Sequence, residues 1–415
     1  MKPFKLGFIG AGFVAHFHAA ALKSTRVADL AGVFAPKGAD SLQAYAQANG
    51  IGDCEIFDSI EELCNNVDSV SIVAPNFARI EIMDAIADAV KKGAPLKGII
   101  CEKPLGRTMK EARQLVEIAK QTKLPTAYFE NQIHMKAIKS ALKQLGPQQA
   151  AMGPIALARS AEEHGGPHEG WFWDPTQQGG GVLSDMGCHS IAVSWFVLNP
   201  LGTAPDYLKP VSINAEVGLL KWGQPKYRKS LLDRMGVDYT KTPAEDFATG
   251  MVTFENPDTG QRVKAQFTNS WMYDKQGLRL LMDGLGPGYA FEVNTLKSPL
   301  EIFIGDEAAE ACADAEMALE KATASRGLLT VQPNEPDLYG YLDEIEDAVA
   351  AFKQGKDALL NFEYGLEITR LCQAGYLSAE TGKTIDLTDP KTDKELESYV
   401  SLIAQGKAQE QLNVK

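Results

Sequence analysis

The sequence predicts a parallel, doubly wound α/β domain followed by a second domain of antiparallel strands and helices. Three observations predict it. Strand and helix signals alternate through the first third, a glycine-rich turn joins the first strand to the first helix, and the pattern changes beyond residue 129. Lys5–Ile9 is a short apolar run ending in glycine, and Phe13–Lys23 after it reads as a helix. Leu30–Phe34 is a second strand and Ala39–Ala48 a second helix. Ser59 is placed to cap a short helix through Cys64. Asp68–Ala74 is a strand stopped by Pro75-Asn76, and Ile80–Lys92 has a helical period ending at Gly93, a C-cap signal. Gly98–Cys101 is a strand, Thr108 and Glu111 have capping-box spacing at the head of a helix through Lys120, and Thr126–Phe129 closes the series.

Beyond that point Gly146-Pro147-Gln148-Gln149 reads as a turn or linker. Met251–Phe254, Val263–Phe267 and Leu278–Met282 read as antiparallel strands, with a turn at Asn256–Gly260 between the first two. Asp306–Ala324 is rich in alanine and acid and reads as an exposed helix; Tyr339–Phe352 and Tyr364–Ser378 are two further helices. The expected division is 1–128, a dinucleotide-binding domain; 129–390, a substrate-binding and oligomerisation domain; and 391–415, a helical tail.

The chain has 415 residues, 45% of them hydrophobic and 23% charged, which supplies a sizeable core and excludes a disordered or disulfide-stapled chain. Its 54 acidic and 41 basic residues give a net charge of −13, which disfavours nucleic acid and anionic membrane surfaces as partners. The six cysteines form no C-x-x-C, so they read as reduced thiols. Met1–Leu22 is apolar behind Lys2 and Lys5, as a signal peptide would be. His16 and His18 interrupt it and a glycine motif occupies its centre, so it reads as a first strand and the chain as cytoplasmic. No apolar run approaches the ~20 residues of a membrane span.

Gly10-Ala11-Gly12-Phe13-Val14-Ala15 fits G-x-G-x-x-A in strand–turn–helix context. Gly10 allows the tight turn, Gly12 leaves room for a pyrophosphate, Ala15 lets helix and strand approach, and the helix N-terminus at Phe13 and Val14 offers N–H groups to the anion. An NAD site places Asp or Glu at the end of the second strand to accept from the ribose hydroxyls. Here the run is Val33-Phe34-Ala35-Pro36-Lys37, so the cofactor is NAD or NADP, with Ala35 and Lys37 leaning to NADP. Lys103, in Ile100-Cys101-Glu102-Lys103-Pro104, follows a strand at the sheet's carboxyl edge, where an ammonium can orient an alcohol and stabilise alkoxide charge.

Gly179-Gly180-Gly181 leads through Ser184-Asp185 to Gly187-Cys188-His189. Asp185 and His189 are four apart and share a helical face; the histidine can move a proton near neutral pH and the aspartate can hold the substrate or the ring. The segment Glu162–Asp174 packs His164, His168, Trp171 and Trp173 among carboxylates and reads as a substrate-specificity loop, its aromatic faces stacking on sugar rings. A metal at Glu163, His164 and His168 is disfavoured because Gly165-Gly166-Pro167 breaks the helix that His-x-x-x-His requires, and no metal is expected.

Taken together, Gly10–Ala15, Ala74-Pro75-Asn76, Glu102-Lys103-Pro104, Gly179–His189, Phe362–Leu377 and Ser378–Lys383 resemble the Gfo/Idh/MocA family (glucose-fructose oxidoreductase, inositol 2-dehydrogenase, rhizopine catabolism) over most of residues 4–387. The resemblance implies an N-terminal Rossmann domain and a C-terminal α+β domain built on a large open, mostly antiparallel sheet, often used for oligomerisation as a dimer or tetramer. It implies cofactor contacts from Pro75, Asn76, Glu102 and Lys103, a catalytic Lys103 with Asp185 and His189, and often a cis proline at Pro104. The chain departs from the family at Arg79, where histidine is frequent; that departure is expected to leave catalysis untouched.

The expected function is hydride transfer between a nicotinamide cofactor and a sugar, cyclitol or sugar derivative, a small-molecule carbohydrate. His189 is the general base, Lys103 the alkoxide stabiliser, and Asp185 the holder of substrate or of His189. The rivals are a redox-neutral glycoside-cleaving enzyme with tightly bound NAD, and a non-catalytic sugar- or nucleotide-sensing regulator on the same scaffold.

Overall fold

The computed structural model describes residues 3–275, 277–297, 301–304, 317–319, 322–324, 327–330 and 334–414. The chain divides into two compact units. One comprises 1–136 with 336–369, the other 137–335 with 370–415. The first unit is therefore not one contiguous stretch ending at 128: a late segment returns to it.

In the first unit, β1 (Phe4–Ile9), β2 (Ala28–Phe34), β3 (Glu55–Ile56), β4 (Ser69–Ile72), β5 (Gly98–Glu102) and β6 (Thr126–Phe129) form one parallel sheet in the order β3-β2-β1-β4-β5-β6. The order reverses between β1 and β4, the crevice where sheets of this kind take ligands. The expected strands lie within a few residues of those observed. Helices α1 (Phe13–Leu22), α2 (Ala39–Ala48), α3 (Ile60–Asn66), α4 (Arg79–Lys91) and α5 (Met109–Thr122) connect them. Ser59 Oγ accepts from Glu62 N–H as the expected cap. At α5 only half of the capping box forms: Thr108 Oγ1 accepts from Glu111 N–H, while the Glu111 carboxylate turns to Arg107.

The returning segment contributes the helix Tyr341–Phe352. It packs beside α1, with Tyr341 against Phe17 and His18 at ring separations of 5.4 and 5.1 Å. Gly98 on β5 is small because Phe352 fills the place of a side chain there. Asp357 accepts from Thr126 N–H on the edge strand β6 at 2.7 Å. The helix Phe362–Thr381 contributes its first residues to this unit and those from Arg370 onward to the other.

In the second unit, β7 (Leu157–Glu163), β8 (Lys209–Gly218), β9 (Phe247–Glu255), β10 (Arg262–Ser270), β11 (Arg279–Gly286) and β12 (Tyr289–Asn294), with the short strand Ile385–Asp386, build a seven-stranded sheet. The order is β12-β11-β7-β10-β9-β8 and then Ile385–Asp386, antiparallel except where β7 meets β10. This is the large, mostly antiparallel sheet the resemblance implied. Along β10 buried Val263, Ala265 and Phe267 alternate with exposed Arg262, Lys264 and Gln266, the period-two signature of a sheet covered on one face. The helix Cys188–Leu198 covers it: Ser194 meets Ser160 of β7, and Ser190 accepts from Asn269 of β10 at 2.8 Å.

Four expectations are corrected. Gly146–Gln149 opens a helix, Gly146–Met152, because a proline in the first helical turn forfeits no hydrogen bond. Of the expected helix Asp306–Ala324, residues 306–316, 320 and 321 lie outside the described residues, whereas Met317–Leu319 and Ala322–Ala324 pair as antiparallel strands. The stretch Pro175–Leu198 is long and apolar enough to cross a membrane by length and composition, but 94% of its 18-residue apolar window is buried inside the protein, as in a core helix. The tail is helical only over Pro390–Ser398.

Candidate active site

The glycine turn lies between β1 and α1. Gly10 sits at φ 115°, where a Cβ would press on the backbone of Val73 and Ala74 at 3.0 Å, so the chain just beyond β4 demands glycine. Gly12 differs: a Cβ there would meet nothing within 4 Å. Its smallness answers to no packing within the chain, which fits a turn shaped to let an anionic ligand approach. Ala15 is buried against the sheet, and the first turn of α1 carries no acidic residue, so its N–H dipoles are not offset by a local carboxylate. At the end of β2, Ala35 is half-buried and Lys37 exposed. Gly38, at φ 81°, follows; a side chain there would press on the Ala11 carbonyl, so this turn lies directly against the glycine turn.

Lys103 follows β5 and is partly exposed, and the Lys103–Pro104 peptide is cis. Beneath it lies a buried group of charges. Arg79, 3% exposed, opens α4 and turns its guanidinium onto main-chain carbonyls of the β5 turn: Glu102 O at 2.6 Å, Lys103 O at 3.1 Å and Pro104 O. The departure at Arg79 therefore puts a guanidinium on the backbone that carries Lys103. Glu102 is buried with both oxygens engaged, Oε1 by His18 Nε2 at 2.6 Å and Oε2 by Lys103 N–H at 3.0 Å. Its side chain serves this interior network, and the expected cofactor contact from Glu102 is not its visible work. Glu344 lies on the far side of the His18 ring, 3.8 Å from Nδ1. Burial pushes the Glu102 carboxyl up, but its bond to His18 and the charges of His18, Lys103 and Arg79 outweigh that and hold it low. Pro75 caps a short 3-10 turn, Asn76–Ala78, in which Asn76 is buried.

In the second unit, Gly179-Gly180-Gly181 leads into a π-helical turn, Leu183–Gly187, that continues as Cys188–Leu198. Asp185 lies in the π turn and His189 near the start of the α-helix; both are buried, at 1% and 5% exposure. A wide turn of this kind still returns to the same face after four residues, and such bulges recur at functional sites. The turn is held from below. Glu245 Oε1 accepts from Gly181 N–H at 3.1 Å and Leu183 N–H at 3.0 Å, and from the Tyr376 hydroxyl at 2.7 Å. A side chain at Gly181 would collide with Glu245, and one at Gly180 with Tyr376.

The segment 162–174 divides. Trp173 is 2% exposed, donates from Nε1 to Pro167 O at 2.9 Å, and packs against Trp222, Trp271 and Tyr239. Its ring anchors the loop, and the expected sugar-stacking role does not suit that burial. His164 is buried, its Nδ1 accepting from Gly166 N–H, whereas His168 is exposed and Trp171 is half-buried and stacked on Phe172. Glu163 pairs with Arg279. Among the described residues, the one group with metal-ligand spacing is His18, Glu102 and Glu344, and there the two carboxylates take opposite ring nitrogens.

Sequence reading missed His18, Glu344, Gly38, Glu245 and Tyr376 as site residues. His18 and Arg79 were visible as a polar interruption and a family departure. Glu245 and Tyr376 have no local signal, because their importance lies in contacts across 64 and 195 positions.

These features define a two-part dinucleotide-binding protein. Residues 4–129 match the family model of oxidoreductases with an NAD-binding Rossmann fold, and residues 147–284 match the C-terminal domain model of the same family. The chain belongs to the Gfo/Idh/MocA family. It is 31% identical over 193 residues to the rhizopine catabolism protein MocA of Rhizobium meliloti, covering 46% of this chain and 55% of that one. It is 28% identical over 225 residues to 1,5-anhydro-D-fructose reductase of Ensifer adhaerens, covering 52% and 62%. The chain thus spans little more than half the length of these curated relatives. GenD2 from gentamicin A biosynthesis, solved in complex with NAD, has the same fold, with TM-score 0.71 at 19% identity over 94% of this chain and 97% of that one. A myo-inositol dehydrogenase from Corynebacterium glutamicum shares it too, with TM-score 0.65 at 18% identity over 93% and 99%.

Proposed function

We propose that this protein is a nicotinamide-dependent oxidoreductase that interconverts CH–OH and C=O on a sugar, cyclitol or sugar derivative. The observation that carries the reading is the position of Lys103. It is braced at the carboxyl end of β5, on the sheet that bears the glycine turn, in a chain of this family. Residues Gly10–Ala15, Ala35, Lys37, Pro75, Asn76 and Lys103 hold the cofactor, which when bound supplies the hydride acceptor or donor. Lys103 Nζ steadies the charge that develops on the substrate oxygen, His189 takes the hydroxyl proton through an imidazole nitrogen, and Asp185 holds the substrate or the ring. His168 and Trp171 are the loop residues left to meet the sugar. A cytoplasmic homo-dimer or homo-tetramer is part of the same reading.

The test is turnover of a sugar and polyol panel with NAD and with NADP, followed by nicotinamide absorbance. Lys103→Ala and His189→Ala are each expected to lower kcat by about 10³-fold, within the range for general acid–base and electrostatic groups. Wild-type turnover in both removes the reading.

The absence of a carboxylate at Ala35 and the exposed Lys37 support NADP. Lys37→Ala is expected to weaken NADP binding roughly fivefold, about 1 kcal/mol for an exposed pair, and to leave NAD binding unchanged. Equal affinities for NADP in the two proteins, measured by titration calorimetry, dismiss the preference.

A further inference from the structure

The segment that carries Asp185 and His189 begins where helices are weakest, at the backbone N–H groups of its first turn. No local side chain caps it: Val182, which precedes the π turn, has no side-chain acceptor. The donors are met from elsewhere. Gly181 and Leu183 N–H bond to Glu245 Oε1, Val182 N–H bonds to the Glu245 carbonyl at 3.1 Å, and Ser184 N–H bonds to the Tyr376 hydroxyl at 3.1 Å. Four successive amides are thus held by one glutamate and one tyrosine, both fully buried. The two glycines at the turn are what allow the approach, since any Cβ at Gly180 or Gly181 would occupy the Tyr376 or Glu245 atoms.

We propose that Glu245, with Tyr376, is a positioning residue that sets the geometry of Asp185 and His189 by capping the start of their segment from a distance. The proposal rests on the reading that Asp185 and His189 serve the reaction. The arrangement resembles an N-cap in its chemistry, a carboxylate oxygen accepting from first-turn amides, but the acceptor is far away in sequence. Its precision matters because a displacement of about 1 Å at a reacting group can cost on the order of 10²-fold in rate.

Glu245 is also poised to respond to pH. Burial pushes its carboxyl up to about 7, against the bonds from Tyr376, Leu183 and Gly181 that pull it down. The titratable groups beside it among the described residues are Tyr376 from the helix Phe362–Thr381, with Cys372 behind the phenol, Tyr239 from the preceding loop, and the adjoining Asp246. None of these is a cation. Glu245 Oε2 is buried with no hydrogen-bond partner among the described residues, so it is the oxygen that would carry the proton.

The experiment uses the full-length chain and four variants: Glu245→Ala, Glu245→Gln, Tyr376→Phe and His189→Ala. Backbone amide exchange of residues 181–184 is followed by mass spectrometry, and kcat and cofactor KM are followed across pH with whichever panel sugar turns over. Glu245→Ala is expected to speed exchange at these amides at least tenfold and lower kcat about 10²-fold with cofactor KM unchanged. Glu245→Gln keeps an acceptor and is expected to retain most of both; its log kcat–pH profile loses the step near pH 7 while the general-base limb stays. Wild-type exchange or wild-type kcat in Glu245→Ala overturns the proposal, and so does an unaltered pH profile in Glu245→Gln. Should Glu245→Ala not fold, Glu245→Gln and Tyr376→Phe decide by the same readouts. If His189→Ala turns over normally, the reading of the site fails instead, while amide exchange still decides whether Glu245 holds the turn.

Discussion

The protein supports its two candidate reactive segments in opposite ways. Under Lys103 the support is ionic: Arg79, His18, Glu102 and Glu344 bury charges of both signs within hydrogen-bond or near-contact distance. Under Asp185 and His189 it is one carboxylate, Glu245, bonded by backbone amides and a phenol, with no ion-pair partner among the described residues. The consequence is read in the carboxyls themselves. Both are buried, yet the charges near Glu102 hold it below the usual range, whereas burial leaves Glu245 at about 7. Equal burial gives opposite shifts according to whether a counter-charge is buried too. A paired charge makes a rigid brace; an unpaired one makes a support that changes with pH.

Removing the cation tests the ionic brace most severely. Arg79→Ala leaves three carbonyls of the Lys103 turn without this donor and takes a positive charge from beside Glu102. Breaking such a buried set costs about 3–5 kcal/mol, so chemical denaturation should show a loss of this order at pH 7. The Glu102 carboxyl should rise in the variant, because one of the charges holding it low is gone. Its stabilising ionisation would then be lost at a higher pH on acidification than in the wild type. A loss below about 1 kcal/mol would show that the guanidinium lines the turn without bracing it, and the contrast between the two supports would fail.

Much of this was legible in the sequence, and the reason is locality. The parallel sheet and the glycine turn come from periodicities and caps that act over a few residues: Ser59 with Glu62, Thr108 with Glu111, Gly93 at φ 106° closing α4. The candidate residues Lys103, Asp185 and His189 could be singled out for the same reason, each standing in a short signature. What failed was long-range. The return of 336–369 to the first unit is a packing choice of Tyr341 and Phe352 that no window of sequence records. Trp173 read as a ligand platform because it stands in a segment with two histidines and four carboxylates, but its neighbours in space are Trp222, Trp271 and Tyr239. Glu245 is two residues from a strand and sits among unremarkable neighbours; only the Gly180-Gly181 gap into which it and Tyr376 fit reveals its role.

The unpaired support makes the smaller and more discriminating prediction. A carboxyl ionising near 4.5 when unfolded and near 7 when folded keeps its proton longer in the native chain. Between those values the folded state binds more protons than the unfolded state, so stability falls as pH rises through the window and is level above it. At ~1.4 kcal/mol per unit the loss is about 3 kcal/mol. Glu245→Gln has no proton to lose, so its stability relative to wild type should improve by about that much between pH 4.5 and 7.5, read from denaturant midpoints at constant ionic strength. Tyr376→Phe separates the bond from the charge. Deleting the hydroxyl costs about 1–2 kcal/mol where Glu245 is neutral, because Ser184 N–H loses its acceptor. It also removes a bond that pulls the Glu245 carboxyl down, so the folded value should rise above 7 and the deficit of the variant should grow as pH passes neutrality. A deficit that is flat with pH would mean the phenol serves the amides alone and leaves the carboxylate untouched.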